Sequence, residues 1–307
     1  MRDVTAKPDT RRTAVAESYV AVPPSGVALL RERRTDKGDP LEVSRVAGIA
    51  AAKRTSDLLP FCHPIPVTHV DVDFAVDDGG VRLTATATAI APTGVEMEAL
   101  TAAGIAALNL YDMLKPHVEQ IVIHDVRLVA KHGGKGDHSV VLDPPASAAV
   151  LVLSDSVAAG KHEDTAGRAV VDALRAVGGV DVAVYEVLAD DAEPLKARVS
   201  QLVEAGTDLV ITVGGTGLGA RDRTIEALQP LIEVDVPGIA EAARSYGQRR
   251  TPRAMLSRGI AGLIGSTLVL TLPGSRAGAQ ESVAALFPAV LHVFQVLRGE
   301  PHAHGHA

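Results

Sequence analysis

The sequence predicts an α+β domain followed by an α/β domain whose sheet is mostly parallel. The chain has 307 residues, of which 47% are hydrophobic, and this length and composition suit about two buried cores. In the front half, strands pair locally through a glycine turn and helical stretches lie beside them. In the rear half, continuous apolar strands alternate with helical stretches, a pattern typical of parallel strands joined by crossover helices.

Each element of the front half follows from a periodicity. Apolar residues at helical spacing predict a helix that Pro60 ends, and apolar residues that alternate with aspartates predict a half-buried strand. The turn Asp78-Gly79-Gly80 joins that strand to the next one in a hairpin. An Ala-rich helix and a last strand follow. The predicted ranges are a helix over 41–59, strands over 70–77 and 81–90, a helix over 98–114 and a strand over 120–130.

The segment Lys131–Ser147 is rich in Gly, Pro, Asp and Ser, and we predict a linker near its end, at Asp143–Ser147, after which the rear half begins. The predicted domains are therefore 1–143 and 148–307. Apolar or β-branched runs predict the strands of the second domain, and amphipathic spacing predicts its helices. The predicted strands are 150–153, 181–188 and 209–213, and the predicted helices are 165–177, 194–205 and 280–297.

Composition and charge argue against several classes of protein. The net charge is −7 and is shared by the two halves, so neither half is expected to bind nucleic acid. The chain has one cysteine, Cys62, and we expect neither a disulfide nor a cysteine metal cluster. No apolar run approaches the ~20 residues that a membrane span needs, and no secretion signal opens the chain. We therefore expect a cytoplasmic protein without a membrane partner.

Several polar residues of the front half allow both a structural and a catalytic interpretation. Lys37 lies in a turn before a helix, and His63 lies in a proline-rich loop, where a side chain that titrates near neutrality could carry a proton. Glu96 and Glu98 could converge on one ligand if the backbone is extended there; otherwise they are acids at a helix N-terminus. Asp112 shares a helix face with the lysine three residues later, as a surface ion pair or as part of a site.

These residues lie in three stretches that closely resemble the MoaC family. The stretches are KGDPLEVSRVAGIAAAKRTSDLLPFCHPIP, TGVEMEALTAAGIAALNLYDMLK and VRLVAKHGGKGD, and the resemblance runs from about Asp3 to Asp137. It implies an α+β, ferredoxin-like fold, a hexamer, and cyclic pyranopterin monophosphate synthase activity, in which a cyclised dihydro-GTP intermediate becomes cyclic pyranopterin monophosphate and pyrophosphate. Small departures are Ser56, where the family commonly has Trp, and His124-Asp125, where Gly-Pro is usual.

The resemblance also assigns active-site positions. It makes Asp112, Lys115 and Lys131 candidates for general acid–base catalysis, with single proton transfers left open among them. A lysine crowded by other cations has a lowered pKa, which favours loss of its proton. Basic side chains would neutralise the charge of the triphosphate. The positions expected to bind substrate are Arg12, Lys37, Lys53, His63, Glu96 and Glu98.

Glycines and acids of the rear half follow the ends of predicted strands. The turn over 214–217, Gly-Gly-Thr-Gly, lets backbone amides approach an anion, with an ordinary tight turn as the alternative. The turn lacks the Gly-Lys-Ser/Thr of a Walker motif. Asp222 lies just downstream and Asp190 ends another strand, so both fall at the carboxyl edge of the sheet, where open α/β sheets bind ligands. A carboxylate beside a phosphate loop commonly holds Mg²⁺.

The stretches LSDS, GKHEDTAG, VLADD, DLVITVGGTGLGARDRTIEAL, AMLSRGIAG and LTLPGSRAG resemble the MoaB/Mog family over about Ala149 to Arg298. The resemblance implies a three-layer α/β fold, a trimer, and adenylylation of molybdopterin with Mg-ATP. It implies that Asp190 and Asp222 are catalytic and hold Mg²⁺. The positions expected to bind substrate are Ser154, Asp155, Asp164 and Gly167 for the nucleotide, Gly214, Gly215, Thr216 and Gly217 for pterin and phosphate, and Ser257 and Ser275 for molybdopterin. Ala220, Ile225 and Arg276 stand where the family usually has Pro.

Two functional hypotheses follow. In the first, the chain is a bifunctional enzyme acting at two steps of molybdenum cofactor biosynthesis. In the second, the rear domain is a non-catalytic pterin-binding or oligomerisation module. Because a hexamer and a trimer share threefold symmetry, we expect a homo-oligomer of that symmetry. Besides Mg²⁺ with ATP, no tightly bound cofactor is expected, and the basic and acidic residues of each half are expected to gather in a phosphate-accepting cleft.

Overall fold

The computed structural model describes residues 1–134, 137 and 140–299. The chain separates into two compact units, Met1–Asp137 and His138–Ala307. The domain bounds 1–143 and 148–307 stay a prediction, and residues 300–307 of the second predicted domain lie outside the described residues. No single described helix is long and apolar enough to span a membrane, although the bent pair Arg276–Leu286 and Ala289–Leu297 meets the length and composition criteria together.

The first unit is an antiparallel sheet with helices. Its elements, in chain order, are β1 (Thr10–Ala21), α1 (Pro24–Glu32), α2 (Pro40–Ala52), α3 (Thr55–Leu58), β2 (His69–Val76), β3 (Gly80–Ala91), α4 (Glu96–Leu114) and β4 (Val122–His132). The strand order is β2-β3-β1-β4, and all neighbours are antiparallel. A β-α-β-β-α-β chain order with these pairings is the ferredoxin-like arrangement. The predicted α+β, ferredoxin-like fold is therefore confirmed.

The core of the first unit depends on small side chains. One face of β1 buries alanines and Val20 against a helix layer in which α4 contributes mostly alanines. A Cβ at Gly48 of α2 would lie 2.9 Å from the carbonyl oxygen of Ala102 in α4, so glycine permits this close approach. Nearer the start of α2, Ser44 accepts from Asn109 near the end of α4 at 3.1 Å. The two helices therefore run antiparallel.

Two predictions for the first unit were incomplete. The helix predicted over 41–59 is interrupted after Ala52, and Thr55 begins the short α3 by donating its hydroxyl to the carbonyls of Ala51 and Ala52. Strand β1 was not predicted, although it lies inside the sheet between β3 and β4. The hairpin of β2 and β3, the long helix α4 and the strand β4 are confirmed.

The second unit is a mostly parallel sheet between helices. Its strands are β5 (Ala146–Leu153), β6 (Val180–Leu188), β7 (Leu209–Val213), β8 (Val234–Asp235), β9 (Ala261–Ile264) and β10 (Thr267–Leu272). Its α-helices are α5 (Asp155–Ala158), α6 (Ala166–Val177), α7 (Ala192–Glu204), α8 (Thr224–Leu228), α9 (Pro237–Gln248), α10 (Arg276–Leu286) and α11 (His292–Leu297). Short 3₁₀ segments lie at Gln229–Leu231, Pro252–Leu256 and Ala289–Leu291.

The sheet of the second unit has the order β6-β5-β7-β10-β9-β8, in which the first four strands are parallel and β9 pairs antiparallel with both β10 and β8. Alternate residues of β5 point to two different cores. Ala148 and Val150 pack with α6 and α10, whereas Ala149 and Leu151 pack with α7 and α8. Helices therefore cover both faces, and the predicted three-layer α/β fold with a mostly parallel sheet is confirmed.

Two local predictions for the second unit were wrong. The single helix predicted over 280–297 is two helices, because Phe287-Pro288 ends α10, and a proline cannot donate a backbone hydrogen bond within a helix. The linker predicted at Asp143–Ser147 is too long at its end, since β5 begins at Ala146 and pairs there with β6. The linker error comes from local composition, which does not register strand pairing, whereas Pro288 is a helix-breaking signal in the sequence itself.

Candidate functional sites

One end of α4 carries a compact group of two lysines and an aspartate. The ammonium group of Lys37 donates to Asp112 Oδ2 at 2.8 Å and to the Asp112 carbonyl at 3.0 Å. Lys115 approaches the other carboxylate oxygen of Asp112 at 2.7 Å. All three side chains are exposed. The turn before α2 positions Lys37, since Asp39 caps α2 by accepting from the amides of Leu41 and Glu42.

The two lysines determine the protonation of this group. Hydrogen bonds from Lys115 and Lys37 lower the pKa of Asp112 to about 2. The same carboxylate raises the pKa of Lys115. The expectation that crowding by cations lowers the pKa of a catalytic lysine is therefore wrong for Lys115, because its nearest charged partner is an anion. Asp112 is ionised and Lys115 is protonated at neutral pH.

The other end of α4 carries a second group. Lys131, near the end of β4, lies 3.2 Å from Glu96 Oε1 in the first turn of α4. The Arg12 guanidinium donates to the carbonyls of Ala91 and Pro92, which precede α4, at 3.3 and 3.5 Å. A Cβ at Gly134 would collide with that guanidinium, so this glycine leaves room for Arg12.

Glu98 also lies in this first turn and is 4% exposed. Burial, and to a smaller extent the neighbouring Glu96, raises the pKa of Glu98. The backbone is already helical at both glutamates. The interpretation in which an extended backbone lets them converge on one ligand is therefore wrong. They belong instead to the acids that favour a helix N-terminus.

Lys53 and His63 lie toward the same end of α4. Lys53 caps the end of α2, which runs antiparallel to α4 and so ends near its first turn. The imidazole of His63 makes no hydrogen bond with another side chain in the described part of the chain; its Nε2 lies 2.8 Å from the carbonyl oxygen of Arg2. Its neighbour Cys62 has a raised pKa, caused by burial and then by the charge of Glu98.

Within one copy of the chain, the residues expected to form the front site therefore lie in two separate groups. Glu96 and Asp112 are 16 positions apart on α4, a distance of about 24 Å at the α-helical rise. The expectation that a single cleft gathers all nine residues is not met within one copy. The group at the start of α4 contains Arg12, Lys53, His63, Glu96, Glu98 and Lys131, and the group at its end contains Lys37, Asp112 and Lys115.

In the second unit, the expected acids do meet at the carboxyl edge of the sheet. The amide of Asp155 donates to Asp190 Oδ2 at 3.2 Å, and the amide of Asp190 donates to Asp155 Oδ1 at 3.0 Å. Ser154 caps the short α5 by accepting from the Val157 amide. Arg221, which sequence reasoning did not single out as a site residue, donates to Asp155 Oδ2 at 3.1 Å.

The acids at this edge repel one another. The pKa of Asp190 is raised by burial first, and then by the charges of Asp155 and Asp222. Within the described residues, no group of three or more His, Cys, Asp or Glu side chains has the arrangement of a metal site. Nevertheless, the carboxylates of Asp155, Asp190 and Asp222 are suitable ligands for Mg²⁺. This ion is commonly held by one or two carboxylates together with phosphate oxygens.

The glycine loop at 214–217 follows β7 and has a constrained backbone. Gly214 and Gly215 have φ of 115° and 64°, values that favour glycine. A Cβ at Gly215 would collide with the Thr224 hydroxyl, which donates to the Gly214 carbonyl at 3.1 Å. Thr216 is buried, and the amide of Arg258 donates to its carbonyl.

Arg258 is a site residue that sequence reasoning missed. Its guanidinium donates to the carbonyls of Gly217 and Asp222 at 2.7 and 2.6 Å and pairs with Glu226. It therefore holds both ends of the segment that joins the glycine loop to Asp222. The one signal in the sequence is its place beside Ser257 in the stretch AMLSRGIAG, which does not show what its side chain contacts.

Two expected nucleotide-binding residues have structural roles here. The buried carboxylate of Asp164 accepts from the amides of Ala166, Gly167 and Arg168 and, at 2.5 Å, from the Tyr185 hydroxyl. These contacts anchor the start of α6. Burial, and then the hydrogen bond to Asp164, raise the pKa of Tyr185 to about 12. A Cβ at Gly167 would collide with Val152, so this glycine allows α6 to pack on β5.

The two expected molybdopterin-binding serines line one cavity of about 180 Å³. Ser275 caps α10 by accepting from the Gly278 amide, and Ser257 accepts from the Gly259 amide. Gly274, beside Ser275, packs against Gly214, because a Cβ there would lie 3.2 Å from the Gly214 Cα. The cavity is therefore adjacent to the glycine loop.

Comparison with known proteins identifies both halves of the chain. The model of the MoaC family matches residues 1–134, and that of a probable molybdopterin binding domain matches residues 149–292. The molybdenum cofactor biosynthesis bifunctional protein of Chlorobaculum tepidum is 39% identical over 303 residues, which cover 99% of this chain and 96% of that protein. The cyclic pyranopterin monophosphate synthase of Deinococcus radiodurans is 53% identical over 146 residues, which cover 47% of this chain and 87% of that protein.

Among solved structures, the molybdopterin biosynthesis enzyme MoaB of Thermus thermophilus is 42% identical and covers 51% of this chain and 98% of that chain, with a TM-score of 0.48. The similarity to the Chlorobaculum tepidum protein extends over almost the full length of both chains. The chain therefore belongs to the family of bifunctional molybdenum cofactor biosynthesis proteins, with a MoaC-type cyclic pyranopterin monophosphate synthase domain followed by a MoaB/Mog-type molybdopterin-binding domain.

Proposed function

We propose that the front domain converts (8S)-3′,8-cyclo-7,8-dihydroguanosine 5′-triphosphate to cyclic pyranopterin monophosphate and pyrophosphate. The observation that supports this activity is the group formed by Lys37, Asp112 and Lys115. The group combines cations that suit a triphosphate with a proton donor at the same exposed helix end. Asp112 keeps Lys115 protonated, so Lys115 starts the reaction as an acid.

The second part of the proposal is that two copies of the chain share each front site. The basic group at the start of α4 would then come from one copy and the group around Asp112 from another. Exposed apolar side chains on α2, α4 and β4 supply a surface that a second copy can bury, among them Val46, Leu108, Tyr111 and Val129. Such sharing agrees with the expected homo-oligomer of threefold symmetry.

The direct test uses the purified full chain and the cyclised dihydro-GTP substrate. The wild type should form cyclic pyranopterin monophosphate and pyrophosphate in equal amounts. Asp112→Ala should reduce both products to background, whereas Asp78→Ala, at an exposed aspartate in the turn between β2 and β3, should not change the rate. An Asp112→Ala variant as active as the wild type would contradict the assignment.

For the rear domain, we propose adenylylation of molybdopterin with Mg-ATP and release of pyrophosphate. The carrying observation is the meeting of Asp155 and Asp190 at the carboxyl edge, where the amide of each donates to the carboxylate of the other. The charges of Asp155 and Asp222 contribute to the raised pKa of Asp190, and a cation there would relieve the repulsion among these carboxylates. Asp190 and Asp222 would hold the Mg²⁺, which supplies charge neutralisation to the triphosphate of ATP when bound.

The remaining residues of the edge divide between the two substrates. Ser154 and Asp155 lie at the end of β5 on the side of Asp190, and we assign them to the nucleotide. The amides of the loop at 214–217 would bind phosphate oxygens between nucleotide and pterin. Ser257 and Ser275 line the adjacent cavity and would contact molybdopterin. Asp164 and Gly167 would support this side indirectly, by anchoring α6.

The alternative is a rear domain that binds pterin without turnover. The ion pair of Arg221 with Asp155 favours it, because this pair already neutralises one carboxylate of the edge. The full chain incubated with molybdopterin and Mg-ATP separates the two functions. Formation of adenylylated molybdopterin and pyrophosphate, abolished by Asp222→Asn, supports the enzyme. Binding of molybdopterin with no pyrophosphate released supports the alternative.

A further inference from the structure

The cavity beside the glycine loop contains charged side chains that the proposed machinery does not use. Among its lining residues are Ala243, Arg244, Arg253, Ser257, Ser275 and Glu281. Glu281 belongs to α10 and is half-buried, whereas Arg253 lies exposed at the mouth. Small residues form the remaining wall: glycines, alanines, threonines, a serine and a proline. A small apolar cavity with a few polar groups is typical of a ligand site.

The charges of Glu281 and Arg253 are available to a ligand. In the part of the chain that the structure describes, neither side chain makes a hydrogen bond or an ion pair with another residue. Arg244 differs, because its guanidinium donates to the carbonyls of Gly259 and Ser257 at 2.8 and 3.5 Å and so holds the cavity wall. A half-buried carboxylate without a donor is a strong acceptor for a ligand that brings its own donors.

The size and position of the cavity restrict the ligand. Its volume of about 180 Å³ is below the roughly 300–1,000 Å³ of sites that enclose a whole drug-sized ligand. It therefore suits one ring system rather than a nucleotide. Its wall at Pro273 and Ser275 adjoins Gly274, which packs on Gly214 of the glycine loop. A ring in the cavity could thus extend a phosphate-bearing arm toward that loop.

We propose that Glu281 binds the 2-amino and N3–H edge of a pterin ring and is the residue that selects pterin in this cavity. The inference rests on the proposed function of the rear domain, whose substrate carries a pterin. That edge presents two adjacent N–H donors, which match the two oxygens of one carboxylate. Arg253 at the mouth supplies donors for the 4-oxo group, the acceptor next to that edge.

The same chemistry excludes adenine from the cavity. Each edge of adenine that carries the amino group pairs one donor with one acceptor, and a carboxylate facing it would meet a lone pair. Glu281 therefore directs pterin to the cavity and leaves the nucleotide to the edge at Ser154, Asp155 and Asp190. Glu281 acts as a specificity residue, since it lies in the cavity and not among the acids expected to hold Mg²⁺.

The test measures binding of pterin and of lumazine to the full chain by fluorescence titration. Lumazine carries an oxo group in place of the 2-amino group, so it lacks the donor pair. The wild type should bind pterin about 10- to 100-fold more tightly than lumazine, the range expected for hydrogen bonds to a charged group. Glu281→Gln should weaken pterin binding by a similar factor and remove the preference. Glu241→Gln, on an exposed position of α9, is the matched control and should retain it.

Three results would overturn the inference: a wild type that binds no pterin, a wild type without preference, or a Glu281→Gln variant that keeps the preference. Binding of Mg-ATP should be unchanged in Glu281→Gln, which also shows that this variant is folded. The outcome is separate from adenylylation. A preference that depends on Glu281 in a chain without adenylyltransferase activity would support this inference and contradict the proposed enzyme.

Discussion

Asp112 is expected to act through the charge that it fixes on its neighbours. In Asp112→Asn the carboxylate that raises the pKa of Lys115 is lost, and Lys37 loses its charged partner but keeps the Asp112 carbonyl. We expect the rate of cyclic pyranopterin monophosphate formation to fall by about 10²- to 10⁴-fold, the usual contribution of a positioned acid or base. The matched control is Asp78→Asn, which breaks an exposed ion pair with Arg31 and should leave the rate unchanged. Equal rates in the two variants would contradict this role.

The lowered pKa of Asp112 determines how its contribution to stability changes with pH. The pKa of Asp112 is about 2 in the folded chain, below its ordinary value of 3.8. The folded state therefore favours the ionised form, and the resulting stabilisation is present above about pH 4 and is lost as the pH falls toward 2. Because an acidic limb of kcat/KM reports the pKa of an essential group, we expect no such limb from Asp112 between about pH 5 and pH 8. A limb in that range that disappears in Asp112→Asn would contradict the expectation.

The pKa of Asp190 is shifted in the opposite direction to that of Asp112. Its pKa is raised in the folded chain, so the folded state binds the proton more tightly than the unfolded state, and ionisation at neutral pH costs stability. Asp190→Asn keeps an acceptor for the Asp155 amide and removes the charge. We expect it to abolish adenylylation while raising the melting temperature of the rear domain by about 1–3 °C. Release of pyrophosphate measures the loss of adenylylation. Calorimetry with and without Mg²⁺ measures the change in stability, because Mg²⁺ should stabilise the wild type more than the variant. A lower melting temperature would contradict the repulsion.

Residue types and local motifs made most of these side chains predictable, but their partners were not. The pairing of Asp112 with Lys115 follows from helical spacing, whereas its contact with Lys37 depends on how α2 packs against α4. Asp190 and Asp222 were placed at one edge because parallel strands end there. Arg258 escaped notice, since nothing in its sequence neighbours shows that it binds the carbonyls of Gly217 and Asp222.

The glycine loop can be tested as an element by comparing two glycines of similar backbone conformation. Gly215 and Gly160 have φ of 64° and 68°, but a Cβ at Gly160 meets no atom within 4 Å, whereas one at Gly215 would collide with Thr224. Gly160→Ala should lower the free energy of unfolding by about 1–2 kcal/mol, the cost of a left-handed alanine. Gly215→Ala should cost about 1–3 kcal/mol more and abolish adenylylation, because the loop must shift.

Denaturant unfolding and adenylylation assays of the full chain measure both quantities. Gly160→Ala controls for the conformational cost alone, so only the difference between the variants reports on the collision with Thr224. If the two variants lose equal stability and Gly215→Ala remains active, the loop does not need its present conformation.

Helices and strands with a strong apolar periodicity were predictable. A strand whose buried and exposed residues differ little in hydrophobicity was not. Helix α4 and the hairpin of β2 and β3 were found because their apolar pattern is long and regular. Strand β1 was not found, although it is 12 residues long, because its buried face consists of Ala14, Ala16, Ser18 and Val20, which contrast little with their neighbours. Strands β8 and β9 have two and four residues, too few for a pattern.

At the scale of the whole molecule, the length of α4 decides where the front site can form. The helix places the basic group with Lys131 and the group with Asp112 about 24 Å apart in one copy. No side chain spans that distance, so a substrate that needs both groups requires a second copy. The fold was predictable from the sequence, but the separation of the two groups was not, because motif residues carry no information on their distance from one another in the folded chain.

Mixed oligomers of Asp112→Ala and Lys131→Ala test whether the site is shared. Each variant alone should be inactive, because every site lacks one of the two residues. If a site takes Asp112 from one copy and Lys131 from the other, random pairing of co-expressed variants leaves about a quarter of the sites with both native residues. We therefore expect about a quarter of the wild-type rate of cyclic pyranopterin monophosphate formation. The control is co-expression of Asp112→Ala with Lys115→Ala, whose residues belong to the same group and should not complement. A mixture as inactive as either variant alone would place the site within one copy, and the separation along α4 would then need another explanation.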